Sequence, residues 1–219
     1  MDNKENRYYP IFLDLKDKEC VVVGGGIVAA RKIESLLGAG AKVTVISPDV
    51  ISEIANMPGI KIRHRQYKPR DLKDAFLVIA ATNNEKENKV VSKEALSRHI
   101  FCNVVDQTDL CSFIVPSVVE KGPIKIAIST GGASPSLASK LRREIDNSIG
   151  PEYETLARIL DKIRPLVLSQ EGGAPEHRRI FDVLINSALM DAIKDNDRSL
   201  AEDILFQALG LHITLEGIL

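Results

Sequence analysis

Three consecutive glycines, Gly24-Gly25-Gly26, stand directly after the apolar run Cys20-Val21-Val22-Val23, and with Ala29 they complete the pattern Gly24-x-Gly26-x-x-Ala29. This is a loop that can carry backbone close to a phosphate. Gly24 permits a tight turn, Gly26 has no side chain to block a pyrophosphate, and Ala29 lets the next helix lie close to the strand. The amides of Ile27 and Val28 then face phosphate oxygens with the helix dipole behind them. Such a pattern is weak in isolation. Here it follows a buried strand, opens a helix and is succeeded by a second strand about twenty residues later, the setting of a dinucleotide-binding loop. The alternative is a glycine turn that binds nothing.

Two further constellations carry chemistry. A ribose-binding acid belongs at the end of the second strand, and that end reads Ser47-Pro48-Asp49, with Asp49 lying 23 positions after Gly26 and two residues beyond the usual place. No arginine follows directly to hold a 2′-phosphate, which favours NAD over NADP. Asp49 is either the ribose ligand or a helix cap or turn residue. Asn103-Val104-Val105-Asp106 closes a later apolar run. A carboxylate there can accept a proton beside a nicotinamide, provided burial tunes its pKa, or it caps a helix or forms a turn. Finally, Ser129-Thr130-Gly131-Gly132-Ala133-Ser134-Pro135 is rich in hydroxyls and amides and precedes a helix carrying Lys140, Arg142 and Arg143. Thr130, Gly131 and Ser134 are candidates to cradle carboxylates or phosphates. Arg142 and its neighbours form either a solvated face or a docking surface for a multiply anionic substrate.

These residues require particular elements to position them. Short continuous apolar runs predict strands at 20–24, 42–47, 60–63, 76–81 and 100–105, with helices over 27–37 and 85–98. That alternation predicts an α/β fold with a parallel, doubly wound sheet of Rossmann type. The pattern then changes. Strands at 112–118 and 124–129, separated by Lys121-Gly122-Pro123, predict an antiparallel pair. Ser134-Pro135 opens a helix to about 148. Residues from Pro151 onward read as helical, broken at Gly172-Gly173-Ala174-Pro175. The expected division is an NAD-binding Rossmann domain at 1–112, a strand-pair dimerisation and substrate region at 113–150 and a helical C-terminal region at 151–219.

Composition removes several function classes. A net charge of −1 provides no global field for nucleic acid or an anionic membrane, so neither is expected as a partner, and any anionic ligand must meet local Lys and Arg. No apolar run approaches the roughly 20 residues of a membrane span. The polar start Met1-Asp2-Asn3-Lys4-Glu5 has no apolar signal core, which points to the cytoplasm. Cys20, Cys102 and Cys111 contain no C-x-x-C pair and read as buried thiols, outside any disulfide, in a reducing compartment. His64, His99, His177 and His212 show no metal-ligand spacing with them, so no metal site is expected.

Taken together, the residues resemble the siroheme synthase N-terminal family of precorrin-2 dehydrogenases and sirohydrochlorin ferrochelatases. The stretches that carry the resemblance are Tyr9-Pro10-Ile11-Phe12-Leu13-Asp14-Leu15, Val23 to Lys32, Ala80-Ala81-Thr82-Asn83-Asn84, Phe101 to Asp106, Ser112 to Ser117 and Ser129 to Ala138. The match is dense from Tyr9 to about Ile145 and thin after Pro151. It implies NAD-dependent oxidation of precorrin-2, a tetrapyrrole, to sirohydrochlorin by a homodimer, with Asp106 as the acid/base residue. It implies cofactor contacts at Ile27, Val28, Pro48 and Asp49, and Gly24, Gly26, Ser47 and Thr82 stand with them as cofactor-binding candidates. Thr130 stands where many members have serine, so the hydroxyl is kept. Some members also insert ferrous iron, as a substrate, to give siroheme, and others only dehydrogenate. Some are fused to a methyltransferase that this length does not accommodate, so methylation is expected from another protein. A NAD-sensing binding module is the competing reading, and a chelatase with a degenerate dehydrogenase site is the third.

Overall fold

A computed structural model describes residues 8–219; the polar start at 1–5 lies outside the described residues. The chain divides into two compact units, the first ending at Val115 and the second running from Pro116 to Leu219.

In the first unit, strands β1 (Glu19–Val23), β2 (Lys42–Ile46), β3 (Ile60–Arg63), β4 (Leu77–Ala80) and β5 (Phe101–Val104) form one parallel sheet in the order β3-β2-β1-β4-β5. The crossovers carry helices α1 (Ile27–Gly38), α2 (Ser52–Ala55) and α3 (Glu85–Ser97). The apolar runs are continuous because each central strand is covered on both faces. Alternate residues divide between two cores. Cys20, Val22, Val43, Val45, Leu77 and Ile79 pack with Ala29, Ile33 and Leu36 of α1. Val21, Val23, Ile46, Val78 and Ala80 pack with Val91 and Ala95 of α3. Burial pushes the Cys20 thiol up to about 11, helped by the charge of Glu19, and burial beside Cys111 does the same for Cys102. Both are protonated, inert core residues at neutral pH.

The connection from β3 to β4 is held by a carboxylate. The Asp71 side chain is 1% exposed and accepts from Arg63 Nη1 at 3.0 Å, Arg65 Nη1 and Nη2 at 2.7 and 2.6 Å, and the Lys68 amide at 2.9 Å. Burial alone raises its pKa, but the Arg65 hydrogen bonds, the Lys68 amide and the two guanidinium charges outweigh that and hold it below the usual carboxylate range. The depressed pKa stabilises the fold at neutral pH, and that stabilisation is lost as pH falls through the native value. Asp71→Asn is expected to cost about 1.5–3 kcal/mol at pH 7. Its deficit should shrink below about pH 4, where the unfolded carboxylate protonates. Urea unfolding across pH checks this, and an equal deficit at all pH values would refute the electrostatic origin.

The second unit contains the antiparallel pair β6 (Ser117–Lys121) and β7 (Ile124–Ile128), then α4 (Pro135–Ser148), α5 (Pro151–Ser169), α6 (Ala174–Ile185), α7 (Leu189–Lys194) and α8 (Arg198–Leu209). Gly122, at φ +55°, is the first residue of the two-residue hairpin loop, a position where glycine meets the backbone demand. Leu156, Ile159, Ile163 and Val167 of α5 join Leu184, Leu189 and Leu205 in a separate core. Among the described residues no helix is long and apolar enough to cross a membrane.

Two local expectations change. The strand expected at 112–118 begins only at Ser117, because residues 111–113 spend their hydrogen bonds on β5 instead. The short helix α2 and the 3-10 turns at Pro69–Leu72 and Thr108–Leu110 carry too few residues to show an apolar period.

Candidate active site at the carboxyl edge of the sheet

In the order β3-β2-β1-β4-β5, successive crossovers leave β1 in opposite directions, so the crevice beyond the ends of β1 and β4 is the switch point where open α/β sheets bind ligands. Each glycine at that point does something different. Gly24 adopts φ +122°, and a Cβ there would stand 2.3 Å from the Ala81 carbonyl oxygen on the neighbouring strand end. Gly25 is pressed against the loop after β2, where a Cβ would fall 2.1 Å from the Asp49 carbonyl oxygen and 2.9 Å from Ser47 Oγ. Gly26 has nothing within 4 Å of that position. The open glycine is the one next to the helix.

Gly26 is also the N-cap of α1, and neither a side-chain cap nor an acidic residue in the first turn competes for the amides of Ile27 and Val28. Those donors have no intrahelical partner, so an anion is their natural complement. The N-terminus of α3 contrasts with it. Asn84 accepts from the amides of Lys86 and Glu87, and Glu85 and Glu87 occupy the first turn. Thr82 belongs to that closed cap: its hydroxyl donates to Asn88 Oδ1 at 2.8 Å, while Asn88 Nδ2 donates to the Thr82 carbonyl at 3.0 Å. Of two helix ends at the crevice, only α1 is open to an anionic ligand.

The loop after β2 is fastened to the glycine turn. The Ile51 amide donates to the Gly25 carbonyl at 2.9 Å, and the buried Ser47 hydroxyl donates to the Asp49 carbonyl at 2.6 Å. Pro48 and Asp49 are exposed. Asp49 does not cap α2, whose N-cap is Ile51 without a side-chain bond.

Asp106 follows β5, on the same sheet edge and separated from β1 by β4. It lies in the left-handed region at φ +60°, and it is not a helix cap, since the next turn starts after Gln107. The burial anticipated for Asp106 is not found; the residue is exposed, because the strand ends before it and the turn carries it outward.

The remaining candidates lie in the second unit. Thr130 Oγ1 accepts from the Ser134 amide and donates to its carbonyl, both at 3.1 Å, closing the loop on itself. Either hydroxyl amino acid can do this, which accounts for threonine at that position. Gly131 and Gly132 take φ +63° and +92° in open space, and Ser134 Oγ accepts from the Leu137 amide as the N-cap of α4. Arg142 lies one turn before Asp146, 3.9 Å away, and Asp146 is held mainly by Lys121 at 2.8 Å. Among the described residues no three His, Cys, Asp or Glu side chains cluster as metal ligands.

Sequence reading missed Gly25, Asn88 and Cys111. The motif leaves the middle glycine unspecified, and only the folded distance to Asp49 shows its constraint. Asn88 and Cys111 act through contacts between elements and leave no signature in spacing.

Comparison with known proteins follows this division of the chain. A family model described as putative NAD(P)-binding matches residues 11–117, and one described as sirohaem biosynthesis protein central matches residues 121–148. The siroheme synthase of Nitrosomonas europaea is 38% identical over 211 residues, covering 92% of this chain and 43% of that protein. The chain belongs to the siroheme synthase N-terminal family. The siroheme synthase of Methylobacillus flagellatus is 44% identical over 175 residues, 78% of this chain and 37% of that protein. This family member thus spans less than half the length of the curated relatives it matches. The solved structure of SirC, a precorrin-2 dehydrogenase, shares its fold at a TM-score of 0.78 and 24% identity, covering 93% of this chain and all of that one.

Proposed function

We propose that this chain oxidises precorrin-2 to sirohydrochlorin with NAD as oxidant. The observation that carries the reading is the uncapped N-terminus of α1 over an open Gly26 at the switch point, with Asp106 on the same sheet edge. The first-turn amides of α1 hold the pyrophosphate, and the loop Ser47-Pro48-Asp49 meets the adenosine ribose. Thr82 contributes through its place at the end of β4, its hydroxyl being engaged by Asn88. Bound NAD supplies the hydride acceptor. Asp106 takes the accompanying proton, so that substrate loses one hydride and one proton for each two-electron step. Thr130, Gly131, Ser134 and Arg142 serve the substrate, whose carboxylates suit amides and a guanidinium.

The name siroheme synthase, borne by the relatives, supports a second step in which ferrous iron is substrate. The chain is taken to act as a homodimer in the cytoplasm. The two-stranded β6–β7 sheet supports the dimer, since its outer edges carry unpaired backbone groups that can pair with another chain.

The deciding assay mixes protein, precorrin-2 and NAD without oxygen and follows sirohydrochlorin absorbance. NAD-dependent formation is expected, and its absence refutes the reading. Supplying sirohydrochlorin and ferrous iron without NAD tests metal insertion separately, and sedimentation tests the dimer.

A further inference from the structure

β5 is the edge strand of the parallel sheet, and its free side is met by the segment 111–113, which bonds it through the Ser112 amide, donating to the Cys102 carbonyl at 2.8 Å, and through side chains, without forming a sixth strand. The Cys102 amide donates to Ser112 Oγ at 2.8 Å, and the Val104 amide donates to Cys111 Sγ at 3.1 Å. The Cys111 thiol in turn lies 3.3 Å from both the Val104 and the Gln107 carbonyl oxygens, between which its single S–H is shared. Asn103 Nδ2 donates to the Phe113 carbonyl at 3.1 Å and reaches Cys111 Sγ at 3.7 Å. The Gln107 amide donates back to the Val104 carbonyl at 3.3 Å. One sulfur therefore ties the residue two before Asp106 to the residue one after it.

Asp106 needs such a tie. Aspartate enters the left-handed region more readily than most side chains, but an exposed residue there keeps a single orientation only when its surroundings fix the turn that carries it. On one side the chain is pinned to the sheet, where the Val105 amide donates to the Ala80 carbonyl at 3.0 Å. On the other, the backbone bond from Gln107 to Val104 closes the turn and the thiol braces it at both ends. We propose that Cys111 is a positioning residue for the reaction: its thiol holds the Val104–Gln107 turn in the conformation that presents the Asp106 carboxylate. This rests on the reading of Asp106 as the proton acceptor.

The test combines turnover with a double-mutant cycle on the full-length protein. Cys111→Ala is expected to lower kcat about ten- to hundred-fold, the cost of a misplaced catalytic group, with the KM for NAD unchanged. Hydrogen exchange should rise within residues 104–111 only. Cys111→Ser, which keeps a donor and an acceptor, should recover part of the lost kcat. In an Asp106→Asn background, adding Cys111→Ala should change nothing further, because the group being positioned is already gone. A merely structural cysteine would lower both backgrounds alike. Wild-type kcat in Cys111→Ala, or an added loss in the Asp106→Asn background, overturns the inference. If Cys111→Ala does not fold, Cys111→Ser decides: a partial loss of kcat that is absent in the Asp106→Asn background supports the inference, and a wild-type kcat or a raised KM for NAD overturns it. No turnover in the wild type removes the functional reading and the inference with it, whereas turnover lost in Asp106→Asn but intact in Cys111→Ala removes the inference alone.

Discussion

Asp106→Asn is expected to lower kcat by about 10²–10⁴, the usual contribution of a positioned acid or base, while thermal stability and NAD affinity stay at wild-type values. Asparagine is the informative substitution because it tolerates the left-handed backbone at φ +60° as well as aspartate does and differs only in being unable to take the proton. Alanine would mix two effects, adding a conformational cost of order 1 kcal/mol. Anaerobic turnover with saturating NAD, beside an unfolding curve and an NAD titration, separates them. Undiminished turnover in Asp106→Asn would remove the carboxylate from the mechanism.

The glycine turn should give two opposite results two residues apart. Gly24→Ala places a methyl 2.3 Å from the Ala81 carbonyl oxygen, on a backbone at φ +122° that alanine rarely adopts. Neither neighbour can yield, since β1 and β4 are paired along Cys20–Val23 and Leu77–Ala80. Overpacking and backbone strain each cost about 1–3 kcal/mol, a large part of a typical domain's stability. Gly24→Ala should therefore unfold at a markedly lower temperature, whether or not NAD is present. Gly26→Ala meets no atom within 4 Å, and its backbone, at φ −94° and ψ −174°, is ordinary extended chain. Its stability should fall by less than about 1 kcal/mol, the scale of an N-cap change. NAD binding should suffer instead, because the methyl occupies the space assigned to the pyrophosphate. A clash of about 1–3 kcal/mol corresponds to roughly a ten- to hundred-fold rise in Kd. Wild-type affinity in Gly26→Ala would place the phosphate elsewhere.

Much of this was legible in the residues. The five apolar runs became the five parallel strands, and the glycine pattern opened α1, because strands buried on both faces cannot afford polar residues and a tight turn into a helix cannot afford side chains. Ser134-Pro135 opened α4, and the break at Gly172–Pro175 separated α5 from α6. The segment at 112–116 was less legible. Its composition is that of a strand, but beyond the Ser112 amide the bonds to β5 come from the side chains of Ser112 and Cys111, an option that no periodicity reveals.

The glycine turn shows where the boundary falls. The sequence by itself determined that a tight glycine turn would open a helix there, since Gly24, Gly26 and Ala29 are local requirements of one turn and the helix it starts. Only the tertiary structure decided which glycine is held by the fold and which faces open space, because the atoms that crowd Gly24 and Gly25 belong to Ala81 and Asp49, far along the chain. It also decided that α1 and not α3 offers free amides, and that Asp106 stands on a left-handed turn braced by a cysteine five residues on. Local patterns fix what a segment can become. Contacts between distant segments fix which of its atoms remain free to react.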